Sequence, residues 1–144
     1  MNRYQGAVRT TNITTNQSAV ELIGGPKGCW LFGLRITLAS AVATVLGLGR
    51  PAAKGITPTT PVGMPSIGGS PTETSQSATA LAWVTPPTNP AVFMDRVSTT
   101  AVIGFVRDWK WETGLFIPAG GTLVLQNITG GGTLDVAFDI GEIP

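Results

Sequence analysis

The sequence contains no histidine, one cysteine and few charged residues, and each shortage excludes a class of function. Histidine is the commonest general base and a frequent metal ligand, so its absence excludes Ser-His-Asp and Cys-His catalysis and the usual zinc sites. Cys29 has no partner for an intrachain disulfide, and its apolar neighbours predict a buried side chain. Only 12% of the 144 residues are charged, where about 25% is usual. We therefore predict that the chain is not an enzyme and needs no cofactor.

The charged residues that are present are balanced and scattered. Nine basic and eight acidic side chains give a formal net charge of +1, without a run of either sign. This distribution creates no field that would attract nucleic acid or an anionic membrane. The most apolar stretch, residues 30–49, is interrupted by Arg35 and falls short of the ~20 apolar residues that cross a bilayer. The N-terminus lacks the apolar segment of a secretory signal. We expect neither nucleic acid nor a membrane as a partner.

Glycine, proline and alternating apolar residues are abundant and predict the fold. The 19 glycines and 11 prolines separate short segments in which bulky side chains recur at every second position. The clearest such face is formed by Trp30, Phe32, Leu34, Ile36 and Leu38. Further strands are predicted over residues 6–10, 19–23, 42–48, 77–85, 96–107, 122–128 and 134–140. Residues 36–48 are also compatible with a helix because Ala and Leu favour helices, although no capping box opens it. We predict an all-β chain, a single-domain antiparallel β-sandwich over residues 1–144 that is jelly-roll-like.

Two segments are predicted to contact a partner. Residues 51–76 contain five prolines and no periodic apolar face, so they predict a long Pro/Gly/Thr-rich loop. Residues 1–11 are predicted to include a strand and to serve as an N-terminal arm. Long loops in small domains usually carry function, and we interpret both segments as contact arms for a partner.

The last third of the chain predicts a strand, a glycine turn and a second strand around residues 130–132. Asp135 and Asp139 alternate with apolar residues there, so they are expected to face solvent. With Glu142 they form the nearest acidic cluster, which is too sparse for a glycosidase pair or a calcium site.

Trp109 and Trp111 are two residues apart on an extended segment, so their side chains are expected on the same side. One interpretation is a carbohydrate-stacking platform, to which Trp83 would contribute. The favoured interpretation is that they cover an edge of the core or contact a neighbouring subunit.

The order of these segments resembles that of a known family. The segments concerned are an N-terminal polar strand, Leu34-Arg35-Ile36-Thr37-Leu38, the Pro/Thr-rich excursion, residues 77–84, Trp109-Lys110-Trp111 and residues 117–127. The Ile-Pro-Ala-Gly-Gly-Thr-Leu-Val-Leu-Gln-Asn hairpin of residues 117–127 is the sharpest motif. Together they are similar to the small jelly-roll proteins of tailed bacteriophages known as capsid decoration or cement proteins. Tail and fibre β-sandwiches share the motif, so a tail, fibre or head-to-tail component is the nearest alternative. A carbohydrate-binding β-sandwich module is a further alternative.

The resemblance implies a structural protein on the outer capsid surface of a virion, where it would clamp the major capsid protein. It also implies a homotrimer, without catalytic or metal-binding residues. We expect contacts with neighbouring subunits from the N-terminal segment, the long loop and the tryptophan pair. The candidate interface residues are Arg3, Tyr4, Arg50, Lys54, Ile56, Met64, Ile67, Trp109 and Trp111.

Overall fold

The computed structural model describes residues 1–70 and 72–144; Pro71, one of the prolines of the predicted loop, lies outside the described residues. The described residues form ten strands and no helix, so none of their segments could cross a membrane as a helix. The all-β prediction is confirmed, and the alternative of a helix over residues 36–48 is wrong. The strands are β1 (Asn2–Arg9), β2 (Gln17–Ile23), β3 (Cys29–Leu38), β4 (Val45–Gly49), β5 (Val62–Pro65), β6 (Thr74–Ala80), β7 (Phe93–Ser98), β8 (Val106–Ile117), β9 (Thr122–Thr129) and β10 (Leu134–Glu142).

The strands form two antiparallel sheets that pack face to face. The four-stranded sheet has the order β1-β10-β3-β8, and the six-stranded sheet has the order β5-β6-β2-β9-β4-β7. Inward-facing aliphatic side chains of both sheets, such as Leu22, Leu31, Ile36 and Leu125, are almost completely buried between them. Burying one such side chain stabilises the fold by roughly 1.5–3 kcal/mol. The predicted two-sheet β-sandwich is therefore confirmed.

The C-terminal strands do not pair with each other as the glycine turn predicted. β9 pairs with β2 and β4 in one sheet, whereas β10 pairs with β1 and β3 in the other. The turn at residues 130–132 therefore carries the chain across the sandwich, and residues 117–127 likewise cross from β8 to β9. A glycine turn reverses the chain in the same way whether the next strand joins its own sheet or the opposite one. The hairpin interpretation of both segments is wrong.

The predicted N-terminal arm is part of the four-stranded sheet. β1 pairs with β10 along its whole length, from Asn2 opposite Glu142 to Arg9 opposite Asp135. The Thr10 amide then donates to the Leu134 carbonyl oxygen at 2.9 Å. The Tyr4 side chain is buried among the core residues. Its burial makes pairing of this segment in the sheet lower in free energy than a solvent-exposed arm. The prediction of an arm over residues 1–11 is wrong.

Residues 51–76 are not a continuous loop. Ile56 forms an isolated bridge with Thr85, β5 pairs with β6, and β6 already begins at Thr74. β5 lies at the edge of its sheet, where the missing amide hydrogen of Pro65 is tolerated. The remaining described residues of the segment are irregular.

Several strand ends differ from the prediction. The predicted strand over residues 96–107 is interrupted, because β7 ends at Ser98 and β8 begins at Val106. Val102 and Ile103 are 61% and 65% exposed in the connecting loop, so these apolar side chains are not buried there. β6 ends at Ala80 rather than near residue 85, and β4 begins at Val45 rather than near residue 42. Alternation of side-chain type continues into these loops, but their described residues form no ladder and only one isolated bridge, between Ile56 and Thr85.

Candidate interaction surface

A bulge in β3 changes which of its side chains face the core. Relative to β10, Leu31 pairs with Ile140 and Gly33 with Asp139, so Phe32 is the extra residue. Such a bulge shifts the alternation of the strand by one position. The predicted single apolar face of β3 is therefore wrong in its first half.

The shift divides the bulky residues of β3 between two surfaces. Before the bulge Cys29 and Leu31 are completely buried, and after it Leu34, Ile36 and Leu38 are buried in the same core. Trp30 and Phe32 lie between these buried positions and are half-buried. They belong to the outer face of the four-stranded sheet.

Phe116 of β8 completes an aromatic cluster on that outer face. It is the cross-strand partner of Trp30, and the two ring centroids are 4.6 Å apart with an interplanar angle of 46°. Tilted aromatic pairs at this spacing are favourable. The Phe116 side chain is 42% exposed, and Trp30 and Phe32 are half-buried. We call Trp30, Phe32 and Phe116 the aromatic platform.

Two glycines allow the rings of the platform to lie against the backbone. A Cβ atom at Gly114 would lie 3.0 Å from the Trp30 side chain and 3.2 Å from Phe32, and its φ of +79° favours glycine. A Cβ atom at Gly141 would lie 2.9 Å from the Phe32 ring. Side chains at these positions would push the rings away from the sheet.

Two arginines border the platform. The Arg3 guanidinium lies 4.1 Å from the Phe32 ring centroid and donates to Asp139 through Nε at 3.2 Å and Nη2 at 2.5 Å. Arg50 Nη2 donates to the Phe116 carbonyl oxygen at 2.7 Å. A bidentate ion pair and a cation–π contact restrict the Arg3 side chain, so its charge has a defined position beside the rings.

The candidate interface residues fall into two groups. Arg3, Arg50, Lys54, Ile56 and Ile67 are exposed, and the first two lie beside the platform. Their role in an interface stays a prediction.

The other candidates belong to the core and its margin. Tyr4, Met64 and Trp109 are buried core residues, and Trp111 is half-buried and packs against the same core. Inward alternation in β1, β5 and β8 places them there. Tyr4, Met64 and Trp109 are not available to a partner as exposed contacts, and for these three residues the interface prediction is corrected. For Trp111 it stays a prediction.

The three tryptophans predicted as a carbohydrate platform do not share a face. Trp109 Nε1 donates to Asp95 Oδ2 at 2.7 Å within the margin of the core. Trp83 Nε1 donates to Glu21 Oε2 at 2.7 Å on the other sheet. With Trp111 turned toward the core, no common stacking surface is formed from these side chains.

The acidic cluster of β10 divides between the two faces of its sheet. Asp135 and Asp139 lie on the outer face, as predicted, and are paired with Arg9 and Arg3. The hydrogen bond from Arg9 lowers the pKa of Asp135. Glu142 is buried instead, and accepts the Gln76 amide at 3.0 Å and the Ser77 amide at 2.6 Å. Within residues 1–70 and 72–144 no group of three His, Cys, Asp or Glu side chains could hold a metal ion.

A second buried carboxylate, that of Glu21, was not predicted from the sequence. Glu21 is fully buried in β2 and faces away from the core residues Val20 and Leu22. Its carboxylate accepts the Gly55 amide at 3.0 Å and the Trp83 indole N–H. These bonds hold two connecting segments over the outer face of the six-stranded sheet.

The sequence did not predict the aromatic platform either, since simple alternation places Trp30 and Phe32 on the same face as Leu34, Ile36 and Leu38. Glycine inside a predicted strand is a known indicator of a bulge, and Gly33 directly follows Phe32.

No protein-family model matches the chain, and neither a curated protein nor a solved structure matches it. The platform is a partly exposed apolar surface of the four-stranded sheet.

Proposed function

We propose that this chain is a structural protein of a tailed-bacteriophage virion, a decoration protein that binds the outer surface of the capsid through its aromatic platform. The observation that carries the proposal is the platform itself. Its half-exposed rings lie against the backbone where two glycines leave room for them, and a positioned arginine borders them. Aromatic and arginine side chains are enriched at the centres of protein interfaces.

The strand order supports the jelly-roll fold that the family resemblance implies. With the β5–β6 hairpin set aside, eight strands remain in two sheets, ordered β1-β10-β3-β8 and β2-β9-β4-β7. Consecutive strands from β1 to β4 and from β7 to β10 alternate between these sheets. Two packed four-stranded sheets in this order are what a jelly roll would have, and we infer that the β5–β6 hairpin is an addition to it.

The platform suits a protein partner because little ordering is needed on binding. Its rings and Arg3 already occupy fixed positions, so docking costs less side-chain entropy than ordering free side chains would. Asp139 uses two of the five N–H donors of the Arg3 guanidinium, which leaves donors for acceptors on the partner. Apolar rings surrounded by polar groups are the arrangement found at energetically dominant interface residues.

Binding to capsid shells tests the proposal. The purified chain would be mixed with shells assembled from the major capsid protein of the same genome, and bound protein would be quantified after sedimentation. Phe116→Ala removes the most exposed ring of the platform while keeping the carbonyl oxygen that Arg50 uses. We expect it to weaken binding at least about tenfold, because an interface aromatic residue commonly contributes more than about 1.4 kcal/mol.

Val92→Ala is the matched control, because Val92 is exposed and lies outside the platform. Shell binding that Phe116→Ala and Val92→Ala reduce equally would contradict the role of the platform. Failure of the wild-type chain to bind shells would contradict the capsid role. A tail, fibre or head-to-tail component would be present in few copies per virion rather than many, which quantitative mass spectrometry of purified particles measures.

A further inference from the structure

Four connections at one end of the sandwich contact one another. They join β1 to β2, β3 to β4, β7 to β8 and β9 to β10, and comprise residues 10–16, 39–44, 99–105 and 130–133. The Thr99 amide donates to the Thr44 carbonyl oxygen at 2.9 Å, and the Gly132 amide donates to Thr44 Oγ1 at 2.8 Å. Thr15 Oγ1 donates to the Gly130 carbonyl oxygen at 3.2 Å. We call these four connections the loop end.

The loop end exposes four large apolar side chains. Ile13, Val42, Val102 and Ile103 are between 42% and 65% exposed. The carbonyl oxygens of Ile13 and Val42 lie next to the same glycine turn, within 3.1 Å of where Cβ atoms at residues 131 and 132 would stand. Exposed apolar side chains gathered on one surface mark a contact with another molecule. All four side chains are β-branched, so fixing them in a contact costs little rotamer entropy.

The loop end carries no charge. None of its four connections contains Asp, Glu, Lys or Arg, and the chain has no histidine. Arg9 and Arg107 flank two of the connections, and they are paired with Asp135 and Asp95. The connections at the opposite end of the sandwich carry charged side chains, among them Lys27, Arg50 and Glu73.

This combination favours a second copy of the chain as the occupant of the loop end. In a contact around a symmetry axis the same loops of each copy come together, so a charge in them would meet a like charge. An uncharged apolar surface avoids that repulsion. A different protein would be oriented by complementary charges, and an anionic lipid surface or a nucleic acid would be held by basic residues. The loop end has neither kind of charge.

We propose that copies of this chain associate through the loop end, with their loops gathered around a common symmetry axis. The contact buries the four apolar side chains against those of neighbouring copies. The aromatic platform lies toward the other ends of β3 and β8, since Trp30 and Phe116 are each one residue from those ends. Association through the loop end therefore leaves the platform exposed, and the inference does not depend on the proposed capsid role.

Sedimentation equilibrium of the full chain tests the self-contact. The wild-type chain is expected to show a mass above that of one chain, rising with concentration. Ile103→Asp and Val102→Asp each place a like charge on every copy near the axis, so each should weaken association at least about tenfold. Val92→Asp is the matched control, because Val92 is 80% exposed and precedes β7 at the opposite end. Urea unfolding and circular dichroism confirm that each variant is folded.

A mixture of two variants makes the test specific for a self-contact. Ile103→Asp and Ile103→Lys should each be monomeric at concentrations where the wild-type chain associates. An equimolar mixture of the two should associate again, because opposite charges then meet across the contact. Such a rescue is not expected of a surface that binds a different protein.

Three outcomes would overturn the inference. The first is a wild-type chain that stays monomeric up to millimolar concentration. The second is association that Val102→Asp and Ile103→Asp leave unchanged, or that Val92→Asp weakens equally. The third is a mixture of the two Ile103 variants that stays monomeric, which would show that the loops of different copies do not meet.

Discussion

Replacing Glu142 by alanine is expected to destabilise the protein because this carboxylate joins the two sheets. Glu142 ends β10 of the four-stranded sheet, and the amides that it accepts belong to Gln76 and Ser77 of β6 in the other sheet. Glu142 and Ser77 are buried, whereas Gln76 is exposed. Loss of the carboxylate would leave the Ser77 amide buried without its acceptor.

The Gln76 and Ser77 amides contribute unequally to the expected loss of free energy of unfolding. A buried N–H without a partner costs about 1–3 kcal/mol, and hydrogen bonds to charged groups lie toward the upper end. Water can replace the acceptor of the exposed Gln76 amide, so its contribution is smaller. We expect Glu142→Ala to lower the free energy of unfolding by about 2–4 kcal/mol.

Equilibrium unfolding in urea measures this loss. The midpoint should fall while the slope of free energy against urea stays constant, because the surface exposed on unfolding hardly changes. Glu112→Ala is the matched control, since Glu112 is exposed in β8 and its loss should change stability by less than about 0.5 kcal/mol. A loss below about 0.5 kcal/mol for Glu142→Ala would refute the assigned role of the carboxylate.

Three further predictions concern other parts of the fold. The hydrogen bond from Trp109 Nε1 is the main cause of the lowered pKa of Asp95. The ionised carboxylate therefore adds stability at neutral pH, which is lost as the pH falls from about 4 through the lowered pKa. Asp95→Asn should flatten this acid-side decline in urea midpoints measured across pH. Gly114→Ala should destabilise the protein more than Gly104→Ala in thermal unfolding. Both glycines have positive φ, but only a Cβ at Gly114 meets the platform, whereas nothing lies within 4 Å at Gly104. Burial raises the pKa of Cys29 to about 11, so a thiol reagent at pH 8 should label it only after denaturation.

Alternation predicted the strands well where one face is buried and the other is solvated. β10 is the clearest case, because Val136, Phe138 and Ile140 are buried and Asp135 and Asp139 face outward. The same rule failed at Phe32, where one bulged residue moves the preceding side chains to the other face. A bulge depends on the register of the neighbouring strands, and the sequence of one strand does not contain that register.

The candidate site was predicted less completely than the fold. Arg3 and Arg50 were chosen as interface residues and lie beside the platform, but Phe116 was not singled out. The rings of Trp30 and Phe116 come from strands that are distant in the chain and meet only through the pairing of β3 with β8. Composition indicates that aromatic residues will be buried in the core or covered by a partner. It does not indicate which of them share a surface.

The sequence by itself determined that this protein is built from strands and that its core is aliphatic, because both follow from the local spacing of side chains. Only the tertiary structure decided that the N-terminal residues close a sheet, that the C-terminal strands separate into two sheets, and that the aromatic platform faces outward. Those features depend on which strands become neighbours. Pairing between distant strands is a property of the whole chain, and local periodicity is the same for every pairing that buries the same face.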